Sequence, residues 1–83
     1  MRAINLQSTE ITLSTTPNTV SNGLLVRCVI ASGTALVTRT AALGTGTASC
    51  TIISSEPTYI FKDPSDTLTA SGTVLATSIA FMY

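Results

Sequence analysis

The chain is expected to fold as an all-β domain, a small antiparallel β-sandwich or barrel of about six to eight short strands with no substantial helix. Three features lead there. Serine and threonine supply 26 of the 83 residues, and threonine suits a pleated, half-buried surface without carrying charge. Apolar residues alternate with polar ones at period two, with no sustained helical stripe. Turn-forming residues interrupt that alternation at short intervals.

Ile4 and Leu6 mark a first strand, and Ile11 and Leu13 a second; the odd spacing between the pairs predicts a bulge or bend over Gln7–Thr9. Residues 1–9 are therefore expected to be an N-terminal arm or edge strand of a single domain spanning 1–83. Thr15-Thr16-Pro17-Asn18 and Asn22-Gly23 read as turns. Leu24–Ala31 is the strongest strand and is expected to be central, with Leu24, Val26, Cys28 and Ile30 on one face and Leu25, Arg27 and Val29 on the other.

Ser32-Gly33-Thr34 reads as the tight loop of a hairpin leading into Ala35–Thr40, with Gly33 at positive φ. That register sets Val29 against Val37 and Arg27 against Arg39. Two arginines side by side repel, by a few tenths to about 1 kcal/mol, unless they splay into solvent or a carboxylate bridges them. Glu10, Glu56 and a neighbouring subunit are the possible sources of that carboxylate.

Leu43-Gly44-Thr45-Gly46-Thr47 reads as an exposed loop; it lacks the lysine and following helix of a phosphate-binding loop. Ala48–Ile53 is the next strand, and Ser54-Ser55-Glu56-Pro57 a turn. Thr58–Lys62 alternates Tyr59 and Phe61 against Thr58, Ile60 and Lys62, which points to core or interface rather than base stacking. Asp63-Pro64-Ser65-Asp66 breaks the pattern as an Asx-type turn or cap, with a weak cation site as the alternative. Thr67–Ser71 reads as a short turn of helix or an extended connector. The last strand, Thr73–Tyr83, sets Leu75, Ile79, Phe81 and Tyr83 on one face, and its apolar end is expected to dock in its own sheet or on a neighbour.

Composition narrows the chemistry. With no histidine, neither a Ser-His-Asp nor a Cys-His system can be assembled within the chain, and a zinc site lacks ligands, so no enzyme activity and no cofactor are expected. Cys28 and Cys50 read as two buried thiols within strands, with a disulfide as the alternative. Four basic and four acidic residues, scattered singly, give no footprint for nucleic acid or an anionic membrane. The run Leu24–Ala31, broken by Arg27, is far short of the roughly 20 residues of a membrane helix, and the lack of an apolar block after Arg2 reads as a chain that starts mature. A domain of this size buries only about 60–65% of its unfolded surface, so oligomerisation is the expected source of extra stability.

The segment Glu56–Ser71, in which Lys62, Pro64, Asp66 and Thr67 carry the match, resembles a signature of small virion proteins of tailed bacteriophages, especially marine ones. Ala76-Thr77-Ser78-Ile79-Ala80-Phe81 is similar to their usual ending, with Ser78 where proline is expected. The resemblance covers about the last third of the chain. It implies a structural component located in the virion, a capsid decoration or cement protein on the capsid surface, with the major capsid protein or other virion proteins as partners. It also implies a homo-oligomer, a trimer by preference, and brings no catalytic residues with it. A neck, tail or fibre component is the alternative, and a glycan-binding module acting through Leu43–Thr47 a more distant one. Arg27, Arg39, Phe81 and Tyr83 are the candidate interface residues.

Overall fold

Alternation becomes strand along most of the chain. The computed structural model describes residues 3–42 and 46–82, and within them eight strands form two antiparallel sheets with no helix. The larger sheet contains β1 (Ala3–Leu6), β2 (Ile11–Leu13), β3 (Leu25–Val29), β6 (Thr58–Phe61) and β8 (Val74–Met82), in the order β1-β8-β3-β6 with β2 also on β8. The smaller sheet contains β4 (Thr34–Thr40), β5 (Thr47–Ile53) and β7 (Thr67–Ala70), in the order β5-β4-β7. The expected strand Leu24–Ala31 is indeed central, as β3.

The core is the set of inward positions at period two. Val26 and Cys28 of β3, Val74 and Ala76 of β8 and Leu13 of β2 meet Ala35, Val37, Ile52, Leu68 and Ala70 of the smaller sheet in one buried cluster. Each large aliphatic side chain removed from water there contributes about 1.5–3 kcal/mol.

The N-terminal bend lies where the spacing places it. Leu6 faces Ile79 on β8 and Ile11 faces Ala76, so five steps along one side match three on the other. Gln7 N–H donates to the Ser78 carbonyl at 2.8 Å, and Ser78 N–H donates to Ser8 Oγ at 3.0 Å, fastening the extra residues. In consequence β1 turns Ile4 and Leu6 outward while β2 turns Leu13 into the core.

Three expectations are corrected. The hairpin across Ser32-Gly33-Thr34 does not form: β3 pairs with β6 and β8, whereas β4 pairs with β5 and β7. Gly33 does take φ 72°, but the chain crosses from one sheet to the other. In the expected register, residues of equal parity share a face, yet the buried residues are even on β3 (Val26, Cys28) and odd on β4 (Ala35, Val37). That hairpin would send the two apolar sets to opposite faces, and an arch between sheets brings both inside. Arg27 and Arg39 consequently never face each other. Thr67–Ala70 is a strand, neither helix nor connector, because Leu68 and Ala70 fill the core. Both thiols are free, but Cys50 is exposed, since β5 lies at the rim.

The Asn22-Gly23 turn is a tight left-handed one. Val20, Ser21 and Asn22 have φ of 53°, 55° and 55°, a conformation that costs L-residues roughly 1–2 kcal/mol each. Burial of Val20, an Asn18 Oδ1 that accepts from Val20 N–H at 2.7 Å, and Gly23 N–H donating to the Val20 carbonyl at 3.0 Å hold it. Gly23 passes so close to β8 that an added Cβ would lie 2.5 Å from Ser78 Oγ.

Candidate functional site: an apolar sheet face

Because inward positions fill the core, the other parity of the larger sheet faces solvent, and it is unusually apolar. Leu25 lies between Phe61 and Ile79, Leu6 flanks Ile79 from the other side, Ile4 is opposite Phe81, and Arg27 lies between Tyr59 and Thr77. Phe61 is 70% exposed and Leu6 66%, while Ile79, on the same face, is 3% exposed. Its register neighbours Leu6 and Leu25 shield it. The rings of Tyr59 and Phe81 lie 5.1 Å apart at 56°, a tilted contact that holds both on this face.

At the end of the face nearest the left-handed turn, Asn22, Gly23, Leu24, Phe61 and Phe81 line an open groove of about 540 Å³. Principal extents of 36 × 28 × 19 Å bound a sheet face at about 1,000 Å², against the roughly 800 Å² per partner of a standard interface. Arg27 is the only charged residue among these outward strand positions, half-buried, and Arg39–Asp66 is the one ion pair among the described residues. The Arg27 guanidinium is thus free to meet a carboxylate from outside.

The opposite outer face is different in kind. Thr38 and Ser49 share a hydrogen bond of 2.8 Å there, and Thr34, Thr40, Thr51 and Thr69 flank them by register, with Leu36 and Ile53 the large apolar members. One face of the sandwich is hydroxylated and the other greasy.

Arg39 belongs to neither face. It points inward at the sandwich end, where its Nη1 donates to Asp66 Oδ2 at 3.0 Å, so its carboxylate comes from its own chain and not from Glu10, Glu56 or a neighbour. Asp66 also accepts from Ala42 N–H at 3.2 Å and Asp63 N–H at 3.3 Å, the expected turn cap. Burial pushes the Asp66 carboxyl up, but the Arg39 hydrogen bond and the two backbone donors outweigh it and hold it below the usual 3.8. Lys62 is buried beside the turn, its Nζ donating to the Pro64 and Asp63 carbonyls at 3.2 and 3.4 Å. Burial lowers its pKa, and the nearby Asp66 and Asp63 only partly oppose that. Lys62 therefore braces its own turn, and Asp66 clasps that turn to the end of β4.

Of the candidate interface residues, Arg27 and Phe81 come together on the apolar face, Arg39 does not, and Tyr83 lies outside the described residues, as do 43–45 of the glycine loop. Sequence reasoning placed Leu25 on one face with Arg27 but missed Ile4 and Leu6 as members of it. The bend at Gln7–Thr9 is the signal that separates outward Ile4 and Leu6 from inward Leu13.

Among the described residues no group of three or more Cys, Asp or Glu side chains gathers as metal ligands, and no helix is long and apolar enough to cross a membrane. Comparisons with family models, with curated proteins and with solved structures find no match to this chain.

Proposed function

We propose that this protein is a non-enzymatic structural component of a virion, most directly a capsid decoration protein that lays its apolar sheet face on the outer surface of the major capsid protein. The observation that carries the reading is that face: aromatic and aliphatic side chains gathered on one side of a small domain, with a single cation among them. Exposed apolar patches on monomers seldom exceed about 300–600 Å² unless they bind something. A matching partner surface is apolar and offers a carboxylate to Arg27. Repetition over a lattice of identical sites then converts modest single contacts into firm retention. The phage-like Lys62–Thr67 turn adds the resemblance that points to a virion.

The test is mass spectrometry of purified particles with copy-number estimation, together with co-sedimentation of the isolated protein with shells that lack it. Hundreds of copies per particle, and loss of co-sedimentation in Phe61→Ser and Arg27→Glu, are the expected results. A copy number matching a single ring would move the protein to the neck or tail. Absence from particles would end both readings.

A further inference from the structure

The four sheet edges are not treated alike. β1 is four residues long and bends away at Gln7. β6 is also four residues long and is bracketed by Pro57 and by the Lys62–Pro64 turn. β7 is covered by the segment after β2: Leu68 exchanges hydrogen bonds with Asn18 at 2.8 and 3.1 Å, and Ala70 N–H donates to the Ser14 carbonyl at 2.8 Å. Short strands, proline, bulges and covering segments are the usual devices that keep an edge from pairing with another chain. Among the described residues β5 has none of them. It runs seven residues, Thr47-Ala48-Ser49-Cys50-Thr51-Ile52-Ile53, without proline, glycine or charge, and among the described residues pairs only with β4.

The interior beside that edge is also unfinished. Ala48 and Cys50 stand opposite Arg39 and Val37, hence on the inward face, yet both are exposed. They border a cleft of about 160 Å³ between the sheets, which Ile60 and Phe61 line from the other side. Another strand alongside β5 would cover these residues and satisfy the open main-chain groups.

We infer that β5 is the edge through which a second copy of this chain joins, antiparallel, about a two-fold axis through Cys50. The three-stranded sheets then merge into one of six strands. Side-chain parity dictates the axis: facing residues share a face, so both interiors lie on one side only when the paired numbers add to an even total, and centring on Cys50 uses all seven residues. Ala48 then faces the second copy's Ile52, and Cys50 faces Cys50.

At about 3.4 Å per residue the strand is about 24 Å long; against the shortest extent of 19 Å, this gives a footprint of about 450 Å² per partner. That is below the standard interface, and the roughly six to eight ladder hydrogen bonds supplement it, which puts the dimer among the weak, reversible ones. Its axis runs normal to the joined sheet, so the two apolar faces emerge side by side as a bivalent platform. The dimer itself does not depend on what those faces bind.

Sedimentation velocity of the reduced full-length protein from roughly 1 to 100 µM tests this, with a monomer-to-dimer transition expected in that range. Ala48→Lys places an inward charge on the edge and should leave a folded monomer by circular dichroism, whereas Leu6→Asp, on the far face, should dimerise unchanged. Mild diamide should link the dimer: two Cys50 thiols lose two protons and two electrons to the diazene, which becomes the hydrazine, and Cys50→Ser should not link. A monomer at every concentration, a trimer, or a dimer lost in Leu6→Asp but kept in Ala48→Lys would overturn the inference. Absence of the protein from particles would leave it standing, so the two proposals fail separately.

Discussion

Cys28 sits fully buried in the middle of the larger sheet, and its burial makes a measurable claim about alkaline stability. Desolvation, with a smaller contribution from the nearby Cys50, pushes its thiol from an ordinary 9.0 up to about 12. A raised folded-state value favours the folded chain in a pH-dependent way, because the unfolded chain loses its proton first. The contribution is fully present below pH 9.0 and is lost as pH rises from there toward about 12. At about 1.36 kcal/mol per unit, the loss reaches about 1.4 kcal/mol at pH 10 and about 2.7 kcal/mol at pH 11. Lys62 acts in the opposite sense: burial lowers its value, so stability rises with pH as the folded chain releases that proton before the unfolded one. Comparison with Cys28→Ala cancels the Lys62 contribution. Removing Sγ leaves a small void, a constant offset of roughly 1 kcal/mol. The assay is urea unfolding followed by far-ultraviolet circular dichroism, in reductant, at half-unit steps from pH 8 to 11. The stability advantage of the wild type should shrink above pH 9 and reverse near pH 10. A gap that stays constant across the range would refute the reasoning.

Further predictions concern the clasp, the core and the left-handed turn. In Asp66→Asn the folded state loses the ion pair with Arg39, so the variant should melt earlier than the wild type at pH 7; because the Asp66 pKa is depressed, that difference should fade as pH drops below 3.8, as melting curves across pH 2–7 will show. Leu68→Ala opens a cavity between the sheets and should cost about 2–5 kcal/mol in chemical unfolding. Gly23→Ala drives a Cβ to within 2.5 Å of Ser78 Oγ, with an expected loss of about 1–3 kcal/mol.

Local features of this fold were legible because they are local. The bend at Gln7–Thr9, central β3, the positive φ of Gly33 and the Asp63–Asp66 cap all follow from spacing or turn chemistry within a few residues. What failed depended on partners far along the chain. Leu24, Leu25 and Leu36 put apolar side chains on both parities around the arch, which hid the even-to-odd switch that rules out the hairpin. Arg39 finds Asp66 some 27 positions away, and no local pattern marks that pair. Thr67–Ala70 alternates as a strand should, but the Asp-Pro-Ser-Asp turn before it drew the reading toward a connector. On β6 the ambiguity was of sides: Tyr59 and Phe61 read as core or interface until the register of β3 turned Ile60 inward and left the aromatic pair outside.

The serine and threonine content acquires a spatial meaning from this arrangement. A sheet face must be wetted by something, and charge is the common choice; here the smaller sheet is wetted by hydroxyls, of which Thr38 and Ser49 already satisfy each other. Hydroxyls keep strand propensity high and leave the domain without a net charge, so copies can approach without repulsion. On the apolar face the polar groups are few: Arg27, the Tyr59 hydroxyl and the threonines Thr12 and Thr77. A neutral domain with one hydroxylated and one greasy face has a preferred side down wherever an apolar surface is available, and orientation is what the proposed docking on a capsid has to specify. Adding carboxylates to the hydroxylated face should therefore leave docking intact, whereas a single one beside Phe61 should abolish it.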